Sequence, residues 1–493
     1  MNLRRYLYLG HRWLGIALAW LMLLWFVSGA VMLYVGYPKL TPAERLAHLP
    51  ALALAEVLPP EQVLAGLPVR PTALRLSMQG EQAVYVARLG QESRVFDART
   101  GLPLAQPDAE RWHRVAAAWA PGLPVRMLGS VQEDAWTHSR ALDPHRPLQL
   151  FSVGDDWLYL SGVTGEVVRD APAFERRWGW LGAWLHWLYP LRGGVAEVFW
   201  QDFVIYTALA ATLLTLLGLW IGVGRWRRRR YANGCHTPYR EFWLRWHHLI
   251  GLWGGLLVLL WALSGLLSMN PWRIFDGRKP PAAVGLPSLA DLPAPAQWLT
   301  CTASAGTVEV LWQSVAGQPL AVLRRGNAAP QVLLPATACP QTGELPADWL
   351  RREAERQGGG SVQASERLSA YDFHYYARAQ HTMGGHLERP LPALRYRFSD
   401  AEATWVTLDP VTGSVVQRST RAKRWQRVLF ALFHSWDWLP LLECRPLWDL
   451  AMIVGSVGGA VVSLSGLILG WRRLQRRRQS PPTAASPECT TGS

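Results

Sequence analysis

Four stretches of the chain stay apolar for about the 20 residues that a helix needs to cross a bilayer core: residues 14–35, 204–223, 249–269 and 451–471. None carries Asp, Glu, Lys or Arg before its ends, and each is predicted as a transmembrane helix. Two further apolar runs, WGWLGAWLHWLYPL (178–191) and RVLFALFHSWDWLPL (427–441), are too short to span. Each holds one histidine, His186 or His434, and is stopped by a proline. They are predicted as half-helices at the membrane interface, over 174–191 and 421–442. The long segments 36–173 and 270–420 have another rhythm. AVYVARL (83–89), DWLYLS (156–161) and TWVTLD (404–409) alternate as half-buried strands do, and FDARTG, SGVTG and DPVTG read as turns beside them. A Pro/Ala-rich stretch at 278–297 reads as a linker and RQGGGSVQ (356–363) as a turn. The predicted fold class is an α-helical integral membrane protein: four transmembrane helices, with small α/β modules of antiparallel strands and one or two helices each.

The pattern repeats. HRWLGIALAWLMLLWFVSGAVM, from His11, aligns with HHLIGLWGGLLVLLWALSGLLSM, from His247. Gly15 then meets Gly251, Trp25 meets Trp261, and Ser28-Gly29 meets Ser264-Gly265. VTGEVV (163–168) meets VTGSVV (411–416), His186 meets His434, and GLWIG (218–222) meets GLILG (466–470). Two tandem copies with an even number of predicted spans share one orientation, and such repeats pair around an axis along the membrane normal.

Charge orients the copies. Segments 1–13, 224–248 and 472–493 hold 15 Lys/Arg and two acids, so nearly all of the formal charge of +14 lies there. Short basic segments stay in the cytoplasm, which puts both termini inside and 36–173 and 270–420 outside. The basic runs abut helix ends and report topology, so no nucleic-acid partner is called for. The 28 tryptophans suit a bilayer interface. Arg4 and Arg5 ahead of the first apolar run resemble the start of a signal peptide, but the run is too long for one and is read as a retained helix, with cleavage as the alternative. The five cysteines show no CxxC or CxxCH, which leaves zinc ribbons and covalent c-type haem without support. Cys301 and Cys339 share the second outer segment, where a disulfide is expected in an oxidising compartment.

The repeat places His11 and His247 near the inner membrane face and His186 and His434 near the outer, one pair to each face. Two neutral imidazoles facing each other are the protein's share of a bis-His b-type haem. A macrocycle needs room, and small residues flank the histidines on their own helices: Gly15 after His11, Gly182 and Ala183 before His186, Gly251 and Gly255 after His247. Arg427, one helical face below His434, is a candidate partner for a haem propionate. His248 competes with His247 as ligand or propionate contact. A lone histidine at a helix end needs no ligand, and small residues in membrane helices often only pack; four histidines placed by a repeat are harder to assign that way. Copper and zinc fit less well, since no Cys or Met is suitably spaced.

HRWLG (11–15), WTHSRALDPHRPLQLF (136–151), LYLSGVTGEVV (158–168), RRWGWLGAWLHWLYPLR (176–192), RWHHLIG (245–251), RPLPALRYRF (389–398), TWVTLDPVTGSVV (404–416) and RPLWDLAMIVGSVGG (445–459) carry a resemblance along nearly the whole chain. The chain resembles the bacterial PepSY-associated transmembrane proteins, among them inner-membrane ferric-siderophore reductases and iron-regulated membrane proteins. The resemblance implies periplasmic PepSY-type modules and, by its reductase members, two b-type haems on His11, His186, His247 and His434. It implies a multi-pass protein of the bacterial inner membrane that passes electrons to a ferric siderophore or other ferric chelate, from a cytoplasmic or quinone donor. The alternative is a PepSY-type membrane-anchored regulator or peptidase-binding protein without redox activity. No charged residue in the apolar runs marks a transporter's ion path. No P-loop or G-x-G-x-x-G is present, so neither ATPase nor NADH oxidase chemistry is expected of the chain itself. His374, His381 and His386 form a further candidate contact for iron or a ferric chelate. His138 and His145 read as structural, and Arg140, Arg146, Arg389 and Arg395 either attract an anionic chelate or brace the modules.

Overall fold

The computed structural model describes residues 3–192, 197–379, 382 and 384–479. The chain divides into two compact units. One joins Met32–Trp184 to Ile274–Arg427; the other joins Met1–Val31, Leu185–Arg273 and Val428–Ser493.

The first unit is made of sheets. Strands β1 (Ala73–Gln79), β2 (Gln82–Leu89) and β3 (Glu92–Asp97) form an antiparallel meander, followed by β4 (Val125–Val131), β5 (Leu148–Val153), β6 (Asp156–Ser161) and β7 (Val167–Ala171). The second half repeats the plan with β8 (Glu309–Val315), β9 (Gln318–Arg324) and β10 (Gln331–Leu333), then β11 (Val362–Leu368), β12 (Ala393–Phe398), β13 (Trp405–Leu408) and β14 (Val415–Ser419). The quartets β4–β7 and β11–β14 are separate four-stranded sheets, whereas the two triplets merge into one sheet of order β10-β9-β8-β1-β2-β3. The seam is the antiparallel pair β1·β8, with Leu74 opposite Trp312 and Leu76 opposite Val310. Leu74, Leu76, Val310 and Trp312 are all fully buried in one core, so the seam is sealed by apolar side chains.

Each four-stranded sheet packs its apolar face on one helix. Val115 and Ala116 of Ala109–Trp119 meet Phe151, Leu158 and Leu160, while Leu350 and Ala354 of Ala347–Gln357 meet Tyr396, Phe398, Val406 and Leu408. The repeated Val-Thr-Gly is a turn. The Ser161 hydroxyl accepts the Val163 and Thr164 N–H groups, the Thr412 hydroxyl donates to Asp409, and Gly165 and Gly413 take φ of +80° and +70°. A Cβ at Gly413 would come within 2.6 Å of Val315, so only glycine fits that corner.

The second unit is helical: α1 (Leu3–Met32), α2 (Glu197–Arg225), α3 (Phe242–Trp253), α4 (Gly255–Ser268) and α5 (Arg445–Gln479). Among the described residues, α1, α2 and the 445–476 part of α5 are long and apolar enough to cross a membrane unbroken. The expected fold class therefore needs correction. The third run, 249–269, is not one helix: it breaks at Gly254, and α3 and α4 are bent by 67°. A pair of glycines lowers helix propensity at the break, and Gly255 has Leu219 so close that a Cβ would lie 2.5 Å from it. The chain is not a four-helix integral membrane protein with small appended modules. Among the described residues it has three unbroken apolar helices and three antiparallel sheets, one of them built jointly by both halves.

Candidate functional site: two histidine pairs

His11 and His247 face one another with ring centroids 6.2 Å apart, and His186 and His434 do so at 6.1 Å. All four lie in the helical unit. His11 sits on α1 and His247 on α3, while the outer two each follow a π-helical turn, Trp180–Trp184 or Arg427–Leu432. Such turns are rare and concentrate at functional sites. The chain leaves each outer histidine through a left-handed residue, Leu188 (φ 54°) or Trp436 (φ 50°). The stop thus comes before the prolines, and Pro190 and Pro440 begin the next short helix.

Carbonyl acceptors fix the tautomer of His11 and His247, and the serine contacts favour the same one for His186 and His434. His11 Nδ1 is 3.2 Å from the Leu214 carbonyl oxygen, which only accepts, so Nδ1 carries the proton. His247 Nδ1 is 3.2 Å from the Val462 carbonyl and 2.9 Å from Ser465 Oγ, whose own proton goes to Val462. His186 Nδ1 donates to Ser28 Oγ and His434 Nδ1 to Ser264 Oγ, both at 3.1 Å. Those serines spend their protons on the carbonyls of Leu24 and Trp261. In that tautomer every Nε2 is left with its lone pair. Trp25 and Trp261 donate to the His186 and His434 carbonyls at 3.1 and 2.9 Å. Trp200 and Trp448 pin the next carbonyl, Trp187 or Ser435, each at 2.9 Å.

Each ring lies against a glycine of a neighbouring helix. The nearest ring atom, Cε1, would stand 2.8 Å from a Cβ at Gly218 (His11), 3.4 Å at Gly466 (His247), 3.3 Å at Gly29 (His186) and 3.5 Å at Gly265 (His434). The small residues singled out on the histidines' own helices face elsewhere: Gly15 toward Leu214, Gly251 toward Val462 and Gly255 toward Leu219. Gly182 and Ala183 are buried in the π-helical turn before His186. Arg427 lies in the sheet unit, stacked on Phe373 and Tyr376 at 4.0 and 4.6 Å.

His248 is different. Its Nε2 donates to the Gly222 carbonyl at 3.0 Å and its Nδ1 accepts from the Thr237 hydroxyl at 2.9 Å. Both nitrogens are used, and the residue is 7% exposed. Its role is to hold the α2–α3 loop.

The remaining candidates have structural partners. His138 contacts Glu133, His145 meets Ser161 Oγ at 3.1 Å, and Arg146 donates to the Thr137 carbonyl. Arg389 donates to the Val416 carbonyl, and Arg395 is paired bidentately with Asp372. Arg140 begins a short 3-10 turn. His374 stands edge-on to Trp405. Burial beside Lys39 and Arg169 lowers the pKa of His386. His381 lies outside the described residues. Cys301 and Cys339 are disulfide-bonded.

Among the described residues no three or more His, Cys, Asp or Glu side chains gather as a metal site. Each pair offers only two aimed donors, and a bare cation needs more. A metal–imidazole bond is about 2 Å and half a ring adds about 1 Å at each end, so two imidazoles sharing one metal have centroids about 6 Å apart. Both pairs match that spacing.

These features define a membrane protein with a large sheet unit and paired histidines in its helical unit. The chain belongs to the PepSY-associated TM region family, whose model matches residues 9–318. The match takes in His11, His186 and His247; His434 lies beyond it and joins the set through the internal repeat. No curated protein matches the chain.

Proposed function

We propose that the protein is a di-haem b oxidoreductase of the bacterial inner membrane, with one haem held by His11 and His247 and the other by His186 and His434. One observation carries the reading: two pairs of imidazoles about 6 Å apart, every Nδ1 proton committed and every Nε2 left as donor. Haem iron cycles between ferric and ferrous and so passes one electron at a time. The chain's own part is positional. Serine and carbonyl acceptors orient the rings, tryptophans lock the backbone behind the outer pair, and glycines leave space at each ring face. An acceptor that takes the Nδ1 proton in this way also makes Nε2 a more basic ligand.

The basic segments support an orientation with both termini in the cytoplasm, and the Cys301–Cys339 disulfide suits a sheet unit in the oxidising periplasm. The substrate is then periplasmic ferric iron in an oxygen-donor chelate such as a siderophore, and electrons come from a cytoplasmic or quinone donor. The other reading, a membrane-anchored regulator without redox chemistry, leaves the four paired imidazoles unused.

The test is haem quantitation on purified wild type and on single His→Ala variants. His186→Ala and His434→Ala each lose the same single haem, His11→Ala and His247→Ala the other, and His248→Ala retains both. A folded, colourless wild type overturns the reading.

A further inference from the structure

The loop between α2 and α3 folds back on itself. The Arg227 N–H donates to the His236 carbonyl, and His236 Nδ1 returns a bond to the Arg227 carbonyl at 2.8 Å. Tyr231 N–H donates to the Cys235 carbonyl, Asn233 Nδ2 to the Thr237 carbonyl, and Tyr231 Oη to the Arg225 carbonyl. Thr237, 1% exposed, donates its hydroxyl proton to His248, whose other nitrogen is tied to Gly222. The frame of this loop is therefore fixed to the residue next to His247. It presents Arg228, Arg229 and Arg230 outward, all exposed. Arg240 and Arg245 are exposed beside them, and the acid of this surface, Glu241, is bridged to Arg472. Among the described residues none of Arg228, Arg229 and Arg230 pairs with an acid.

Of these residues Arg245 is two positions before His247 on α3, and the ends of α2 and α5 carry further arginines near the inner pair. Arg225 follows Gly218, which touches His11, by seven residues, and Arg473 follows Gly466, which touches His247, by seven. Seven residues of helix are about 10 Å of rise. Arg225 closes α2 and its run fits the charge bias of a membrane flank, but three of its arginines stand on a hydrogen-bonded hairpin whose ordering costs conformational entropy. A preformed single-sign surface steers and orients a rigid partner of opposite charge.

We propose that Arg228, Arg229 and Arg230, with Arg240 and Arg245 beside them, are the docking surface for a small acidic one-electron carrier protein that supplies the inner pair. The docking stands on the charge and the frame; the transfer rests on the haem reading above. In that transfer the carrier is oxidised by one electron and the iron held by His11 and His247 is reduced from ferric to ferrous, with no bond or proton exchanged.

The experiment uses full-length protein in phosphatidylcholine nanodiscs and an acidic flavodoxin as probe. Binding is measured by calorimetry at low and high salt. Wild type binds at low salt and releases at high salt. The Arg228→Gln/Arg229→Gln/Arg230→Gln variant binds at least ten-fold more weakly, whereas Arg126→Gln, an exposed arginine of β4, binds as wild type does. In haem-loaded protein the rate of reduction by reduced flavodoxin falls in parallel, and reduction by dithionite is unchanged. The proposal is overturned if the triple variant binds flavodoxin like wild type, or if its only loss is adsorption to phosphatidylglycerol vesicles. Flavodoxin binding through these arginines by a protein that takes up no haem upholds the docking surface and sinks the haem reading.

Discussion

His186 gives its Nδ1 proton to Ser28, a residue 158 positions earlier on α1, across 3.1 Å, and His434 repeats the arrangement with Ser264 on α4 at the same distance. The serines are 1% exposed, so water has little access to the hydroxyl that each ring meets. Ser28→Ala and Ser264→Ala leave a buried N–H unpaired and the ring free to turn. If the two pairs hold haem as proposed, each variant is expected to lose retention at the His186/His434 pair by roughly ten-fold or more, with the His11/His247 site kept. Ser465→Ala is milder, because His247 retains the Val462 carbonyl. Haem per chain after challenge with an apo-haem scavenger measures this, and equal losses for Ser28→Ala and Ser465→Ala count against it.

Much of this arrangement was visible as coincidence in the repeat before its purpose was. Trp25/Trp261, Ser28/Ser264, Gly29/Gly265 and Gly218/Gly466 all align between the copies. Their work is not legible there, because helical periodicity reports only which residues share a face of one helix. The rings instead reach across to glycines of neighbouring helices, so Gly15 and Gly251, which share a face with their histidines, pack on Leu214 and Val462. What sets His248 apart from His247 is its pair of hydrogen bonds to Thr237, on a loop, and to Gly222 of α2, which sequence spacing does not show. The strand character of β2, β6 and β13 was readable, but they carry consecutive buried residues where half-buried alternation was expected, and the β1·β8 seam joins strands from different halves that no local pattern encodes. Hydropathy gave 249–269 the length of a span, yet it measures apolarity and not backbone direction, so the 67° break at Gly254 was missed.

Glu309 is 2% exposed, on the strand that forms the seam. Arg45 reaches it at 2.6 Å, with Arg75 at 3.9 Å and Arg324 at 4.0 Å. Although burial alone raises a carboxyl pKa, these three guanidiniums hold that of Glu309 below its ordinary value. Stability from this group is therefore present above the unfolded-state pKa and is lost as pH falls through the folded one. Glu309→Gln leaves Arg45 facing a neutral amide, while Arg75 keeps Glu166 and Arg324 keeps Glu388, and is expected to cost about 3 kcal/mol at neutral pH, the low end for removing one partner of a buried ion pair. Denaturant unfolding of the full chain in detergent, followed by the tryptophan signal, measures it; a loss under about 1 kcal/mol, the range of an exposed pair, rules it out.

Asp170 has the opposite sign. Burial, then repulsion from Glu44, raises its pKa from 3.8 to about 7. Below the unfolded-state pKa both states are protonated and nothing is lost. As pH rises toward 7 the unfolded chain releases the proton while the folded one keeps it, so stability falls across that window and levels off above it. Asp170→Asn removes this part of the slope. The variant should match wild type near pH 4 and melt higher at pH 8, with a residual slope from Glu175, which burial also raises to about 7. Identical melting profiles from pH 4 to pH 8 would falsify the assignment.

Glycine-to-alanine changes separate ring contact from helix propensity. On propensity alone, alanine in a helix interior is better than glycine by about 1 kcal/mol, so Gly218→Ala on α2 and Gly265→Ala on α4 should both stabilise. The rings say otherwise. At Gly265 the new methyl meets His434 Cε1 at 3.5 Å, an ordinary contact, and the propensity gain is kept. At Gly218 it meets His11 Cε1 at 2.8 Å, and the ring has little freedom to retreat while its Nδ1 is bound to Leu214. Relief requires an off-rotamer imidazole or a displaced helix, at about 1–3 kcal/mol for overpacking of this kind. The two substitutions are therefore expected to move stability in opposite directions, and only Gly218→Ala should lower occupancy of the inner pair. Thermal unfolding and haem content of the two variants decide the matter: two stabilised proteins with full haem would mean that the inner ring is not seated against α2.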